Sequence, residues 1–277
     1  MGTELTSADE PGGGPTTLEL AEWRLYVSGF FDHVEARPRA GVAAFDADTG
    51  ALADWAPQPN DFVGTLAYTS GTVFLGGDFN RINGQPRSSL ARVDALTGTL
   101  LPFRADVAGS VYTLVATPTK LFVGGLFGSV GGVRCRNLAA IDLVTERVLP
   151  GWCPQPDDRV NDLAVSSTAL YAVGDFDHVA GERHEHAVAL DLNTGAVLRW
   201  NPTIPCPCSD TIAADGSTVY IGGDFEWVNG RRRFGLAALD ATTGALLPWA
   251  PNSSTSAGLT RLRSTTRAST SAAHSAA

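Results

Sequence analysis

Few residues in this sequence stand at spacings that could do chemistry, and most of those patterns suit structure equally well. His184-Glu185-His186 sets two imidazoles on one side of an extended segment, and His178 lies a loop away. A transition-metal ion needs three or four converging donors, so His178, His184 and His186 are metal-ligand candidates whose plainer reading is solvated polar side chains. Asp46, Asp94, Asp142, Asp191 and Asp240 could be pictured as a ring of carboxylates. Each stands three residues before a threonine, however, and an aspartate so placed bonds its own backbone in a turn. Trp227 is a candidate ligand-stacking ring, and Arg231-Arg232-Arg233 could meet an anion or an acidic glycan. Their plainer readings are a surface-capping aromatic and a solvated loop. No Gly-x-Ser-x-Gly, His-Glu-x-x-His or phosphate-binding loop is present, so the sequence offers no catalytic residue and implies no cofactor.

Cys135, Cys153, Cys206 and Cys208 lack the paired spacing of a zinc site and suit disulfides in an oxidising compartment. Cys153 directly follows Trp152, and Cys206 follows Trp200 by six residues. A bridge from Cys153 to Cys206 or Cys208 would staple two neighbouring units and leave Cys135 free; all three full pairings remain open. The first fifteen residues lack the basic start and apolar run of a signal peptide, and no stretch approaches the ~18 apolar residues of a membrane span. A net charge of −9, without a basic cluster the size of a face, argues against nucleic acid and anionic membranes as partners.

The elements that must position these residues come from a repeat. Val73-Phe-Leu-Gly-Gly-Asp-Phe79 returns as Val219-Tyr-Ile-Gly-Gly-Asp-Phe225, and its last residue recurs as Phe31, Phe79, Phe127, Phe176 and Phe225, in steps of 48, 48, 49 and 49 residues. Fifteen residues after each stands one of the five aspartates, and Thr-Gly follows in four copies, Thr145-Glu146 in the third. An aromatic closes each unit: Trp55, Phe103, Trp152, Trp200 and Trp249, read as core docking residues. With 30 Gly, 16 Pro and a single Met, the chain is turn-rich and poor in helix formers. Each unit reads as four short strands: one centred on Leu66, Leu114, Leu163 or Ile212, the Gly-Gly strand, a strand such as Leu90–Asp94, and the aromatic-bearing segment. Four antiparallel strands every ~40 to 50 residues predict an all-β fold, a β-propeller of four-stranded blades. Five blades are encoded, able to close alone or to form a slice of a ring of six or more.

Residues 1–16 read as a flexible leader and 17–251 as the propeller. All 29 acidic residues but only 17 of the 20 basic ones precede residue 252, so the repeats carry −12. The Ser/Thr/Ala/Arg-rich segment 252–277 reads as a disordered linker or as a blade in the wrong frame. One choice of G/C-rich codons for Arg267–Ala277, read two bases later, gives Gly-Leu-Tyr-Val-Gly-Gly, similar to Leu121-Phe-Val-Gly-Gly125.

Gly-Gly-Asp-Phe, Asn-Gly, an Arg, Leu-Ala-x-x-Asp and Thr-Gly in fixed order resemble the bacterial propeller repeats called delta-sixty repeats, over residues 17–251. Phe30 and Leu126 depart from the acid of the motif at Asp78, Asp175 and Asp224, and Cys135 and His184 stand where Arg39, Arg87 and Arg233 stand elsewhere. The resemblance implies a secreted or surface-attached propeller without an agreed chemistry. Ala238–Trp249 is more loosely similar to the tryptophan-docking repeat of quinoprotein dehydrogenases, with one extra residue between Gly and Trp. The expectation is a non-catalytic extracytoplasmic binding or scaffold module that contacts protein or carbohydrate through its loops and central mouth. The alternatives are a quinoprotein-like enzyme with a cofactor at that mouth, and a spacer in a larger surface protein.

Overall fold

A computed structural model describes residues 5–6, 14–206 and 209–251, and among them it contains strands and no helix. The expected tail, Cys208 and most of the expected leader lie outside these residues. Leu5–Thr6, inside the leader, pairs with His33–Val34.

Five antiparallel sheets follow one another along the chain. The first pairs Pro15–Ala21, Arg24–Gly29 and Val42–Asp46 in order; the second pairs Val63–Thr69, Thr72–Gly77 and Leu90–Asp94. The fourth is built from Val160–Val165, Ala169–Gly174 and Ala187–Asp191, and the fifth from Ser209–Asp215, Thr218–Gly223 and Leu236–Asp240. Each first strand packs against the first strand of the next sheet, which makes these strands the inner lining of a β-propeller.

The expected fourth strand is present as a strand only in the third sheet, where Val107–Ala116, Lys120–Val130 and Leu138–Asp142 are joined by Arg147–Val148. In the other sheets it shrinks to single bridges, Phe45 to Leu52, Val93 to Leu100, Leu190 to Val197 and Leu239 to Leu246. There the segment must turn away so that its aromatic reaches the next sheet, and proline follows two residues later, at Pro57, Pro154, Pro202 and Pro251, with no N–H to continue a ladder. The loop expected between second and third strands is a tight ribbon in four repeats, for example Arg81–Ile82 against Gln85–Pro86.

The sheets are locked together by one recurrent joint. In each repeat the aspartate accepts hydrogen bonds at Oδ1 from the threonine's backbone N–H and hydroxyl, at 2.8 and 2.6 Å for Asp46 and 2.7 and 2.8 Å for Asp142. These bonds hold the carboxyls of Asp46, Asp94, Asp142, Asp191 and Asp240 below the ordinary carboxylate range. The same aspartate presents its backbone carbonyl to the preceding repeat. Trp55 donates its indole N–H to Asp94 at 3.0 Å, Trp152 to Asp191 at 3.2 Å and Trp200 to Asp240 at 3.0 Å. Around Trp55 the apolar faces of both repeats close: Tyr26 and Val42 from the first, Val63, Leu66, Val73 and Leu75 from the second. Gly195 shows why glycine ends the turn: its φ is +72° and a Cβ there would press on the Trp152 ring.

Trp249 departs from the core reading. It is 45% exposed, against at most 1% for Trp55, Phe103, Trp152 and Trp200, because no following repeat covers it among the described residues.

The cysteine reading is also corrected, since Cys153 is bonded to Cys135, with Cα atoms 5.2 Å apart and 18 residues between them in sequence. The reason lies in the position Cys135 occupies. Arg39, Arg87 and Arg233 each donate to the carbonyl of the residue before them and to a carbonyl of their own outermost segment, Ala53, Leu101 and Leu247. The Cys135–Cys153 bond ties the same two segments covalently within one repeat. Cys206 is disulfide-bonded as well.

Two outcomes follow for stability. Trp152→Phe keeps the packing and removes the indole donor, so urea denaturation is expected to show a loss of about 1 kcal/mol, whereas Trp152→Ala loses about 3 kcal/mol or more. Closing a loop of this length contributes about 3 kcal/mol, so Cys135→Ser is expected to lower stability by that order, and non-reducing peptide mapping to recover a Cys135–Cys153 peptide.

Candidate functional site

The start of each inner strand is paired with the end of the second strand, as in Val63 with Gly77, Val160 with Gly174 and Ser209 with Gly223. A bulge follows at once in each inner strand, and the second motif glycine permits the close approach it needs. A Cβ on Gly77 or Gly174 would meet the carbonyl of Phe62 or Arg159. The residues flanking this pairing therefore gather at one end of the inner strands: Phe30, Asp78, Leu126, Asp175 and Asp224 after the glycines, and Phe62 and Arg159 before the inner strands. We call this end the mouth.

The mouth is not uniform. Between the first two repeats Phe30 stacks on Phe62, with centroids 4.4 Å apart and planes at 11°, although Phe30 is 52% exposed. The pair lines a recess of about 300 Å³ together with Asp32, Asn60 and Asp61. At the fourth and fifth repeats the mouth is acidic. Arg159 meets Asp175 at 2.7 Å, and Asn161 donates to Asp175 at 3.1 Å and to the Ser209 carbonyl at 3.3 Å. Asp210 lies beside them with its carboxyl raised above the ordinary range, first by burial and then by the charges of Asp224 and Asp175, against the opposing pull of Arg159.

Deeper along the inner strands runs a polar stitch that sequence reasoning missed. Thr17 donates to the Gly64 carbonyl at 2.8 Å, Thr65 Oγ1 accepts from Leu114 N–H at 3.2 Å, and Thr113 donates to Asp162 Oδ1 at 3.1 Å. Asp162 Oδ2 also accepts from Thr211 at 2.9 Å and from Ile212 N–H at 3.0 Å. The signal was present in the repeat alignment, where Asp162 occupies the place held elsewhere by Thr17, Thr65, Thr113 and Thr211.

The histidines do not converge. His178, on the ribbon, meets Asp157 at 3.0 Å. His184 and His186 are buried rather than solvated, because His184 fills the arginine position between ribbon and outermost segment. Burial lowers the pKa of His184, and its nearest carboxylate, on Glu182, is 3.9 Å away. Among the described residues no group of three or more His, Cys, Asp or Glu is placed to hold a metal ion. Trp227 and Arg232 face each other across the fifth ribbon, both exposed; Arg232 stacks over Phe234 at 4.5 Å, and Arg231 is exposed beside them.

Comparison with known proteins agrees on the fold. A β-propeller domain of unknown function, DUF5122, matches residues 69–100. The computationally designed Ika8 protein superposes with a TM-score of 0.53 at 16% identity over 88% of this chain, which spans 64% of that protein's length. A chain of the nidogen/laminin complex superposes with a TM-score of 0.54 at 11% identity over 83% of this chain and 76% of its own. No curated protein matches the sequence.

The raised carboxyl has a measurable consequence. A folded pKa above the unfolded value means that ionised Asp210 costs stability at neutral pH, a cost that fades as pH falls through the folded value and is gone below about 4. Asp210→Asn is therefore expected to raise the melting temperature at pH 7, with the gain disappearing near pH 3.

Proposed function

We propose that this chain is a non-catalytic binding propeller whose mouth receives a positively charged segment of a partner protein. The observation that carries the reading is the crowding of Asp175, Asp210 and Asp224 around a single Arg159. Like charges held together at a cost gain most when a cation arrives. The stacked Phe30 and Phe62, bordered by Asp32 and Asp61, suit an Arg or Lys side chain by ring-face attraction and charge together. The net charge of −9 would steer such a partner toward the surface. An extracytoplasmic setting belongs to this proposal, supported by the disulfides at Cys135–Cys153 and Cys206.

Fluorescence anisotropy with labelled oligo-arginine, oligo-glutamate and a neutral cello-oligosaccharide tests the reading. Only the cationic peptide is expected to bind, more weakly as salt rises, and the affinity is expected to fall at least roughly tenfold in Asp210→Asn/Asp224→Asn and in Phe30→Ala. Binding that ignores those substitutions, or that favours the oligosaccharide, would sink it.

A further inference from the structure

The two end repeats expose the two halves of the joint that the chain forms between its other repeats. At the trailing end, Trp249 rests edge-on against Tyr220 with centroids 5.4 Å apart. Trp55 meets Tyr26 and Trp200 meets Tyr171 in the same way, at 5.1 and 5.2 Å. In those joints the indole reaches the aspartate carbonyl of the next repeat, and the tyrosine hydroxyl reaches the carbonyl of the residue after it. Tyr26 donates to Ala95 at 2.8 Å, and Tyr171 to Ala241 at 2.7 Å. Among the described residues, neither the Trp249 indole nor the Tyr220 hydroxyl has a corresponding acceptor.

The leading end carries the receiving half. Leu66, Leu114, Leu163 and Ile212, which meet the preceding repeat, are between 1% and 6% exposed; Leu18, at the equivalent place, is 47% exposed. The receiving turn is already built, with Asp46 closing on Thr49 as in the other repeats. A Cβ on Gly50 would meet nothing within 4 Å, whereas one on Gly195 would strike Trp152.

We propose that a second copy of this chain docks head to tail on the open arc. Trp249 of one copy enters over Gly50 and donates to the Asp46 carbonyl of the other, Tyr220 donates to the Ala47 carbonyl, and Leu18 is covered. The occupant follows from the chemistry on the page, since the first repeat of this chain already has the turn, the apolar strand and the carbonyls that Trp249 and Tyr220 lack. The contact is heterologous, so each copy keeps one free half for a further copy until the arcs close on themselves.

Sedimentation velocity of the full chain at rising concentration tests this. The unmodified protein is expected to associate, whereas Trp249→Ala and Leu18→Glu, each changing an exposed residue, are expected to remain monomeric alone. Mixed together, the two variants still share one intact joint and are expected to form a one-to-one dimer that grows no further; this also shows that both are folded. An unmodified protein that stays monomeric throughout, a variant that associates as it does, or a mixture that stays monomeric would each overturn the proposal. So would a monomer in which Trp249 is shielded from acrylamide quenching, since residues of its own chain would then cover that face.

Discussion

The bond from a tryptophan indole to the backbone carbonyl of an aspartate in the next repeat is the contact on which the architecture rests. It is short in reach and strict in geometry, so the aspartate must be held still before the tryptophan arrives. The Asp-x-x-Thr turn does this, with one carboxylate oxygen fixing the turn while the carbonyl of the same residue faces its neighbour. The third repeat shows the coupling by departing from it. Its turn carries Glu146 at φ 57° instead of glycine, and the aromatic that docks there is Phe103, smaller and without an N–H. Glu146 is instead engaged by Arg92 of the preceding repeat at 2.7 Å. A bulkier turn and a smaller ring have changed together, and an ion pair stands where the indole bond would be.

Ring rigidity also needs each sheet's outermost segment to stay attached, because that segment delivers the aromatic. The ladder alone is thin, since four of the five sheets keep only one bridge there. Three arginines, one disulfide and one histidine supply the missing tie, all from the same place on the connection between second and third strands. This explains why a cysteine, a histidine and three arginines are interchangeable at positions 39, 87, 135, 184 and 233: what is kept is the reach from that connection to the outermost segment.

Much of this was legible in the sequence, and the exceptions have physical causes. The aspartate turns, the close approach at Gly-Gly and the all-β class could be read because each depends on local backbone geometry that repeats every 48 or 49 residues. The partner of Cys135 was not read, because spacing along the chain carries no information about distance across a ribbon; the arginines at equivalent positions carried it instead. The burial of His184 and His186 escaped for a similar reason, since alternation along a strand predicts a face but not what lies over it. The exposure of Trp249 could not come from its own repeat, whose sequence matches the others; it depends on a neighbour.

The division of labour explains where specificity can arise. Turns, ribbons and docking aromatics are bound by the joint and the tie, so substitutions there are tolerated only in compensating sets. The mouth positions answer to neither constraint, and they hold phenylalanine, aspartate, leucine, aspartate and aspartate in the five repeats. Asp210 shows the freedom these positions have: its charge lies beside Asp224 and Asp175 and weakens the fold at neutral pH. A ring joined by four tight seams can carry that local cost, because the seams lie at the turns while the repulsion is confined to the rim.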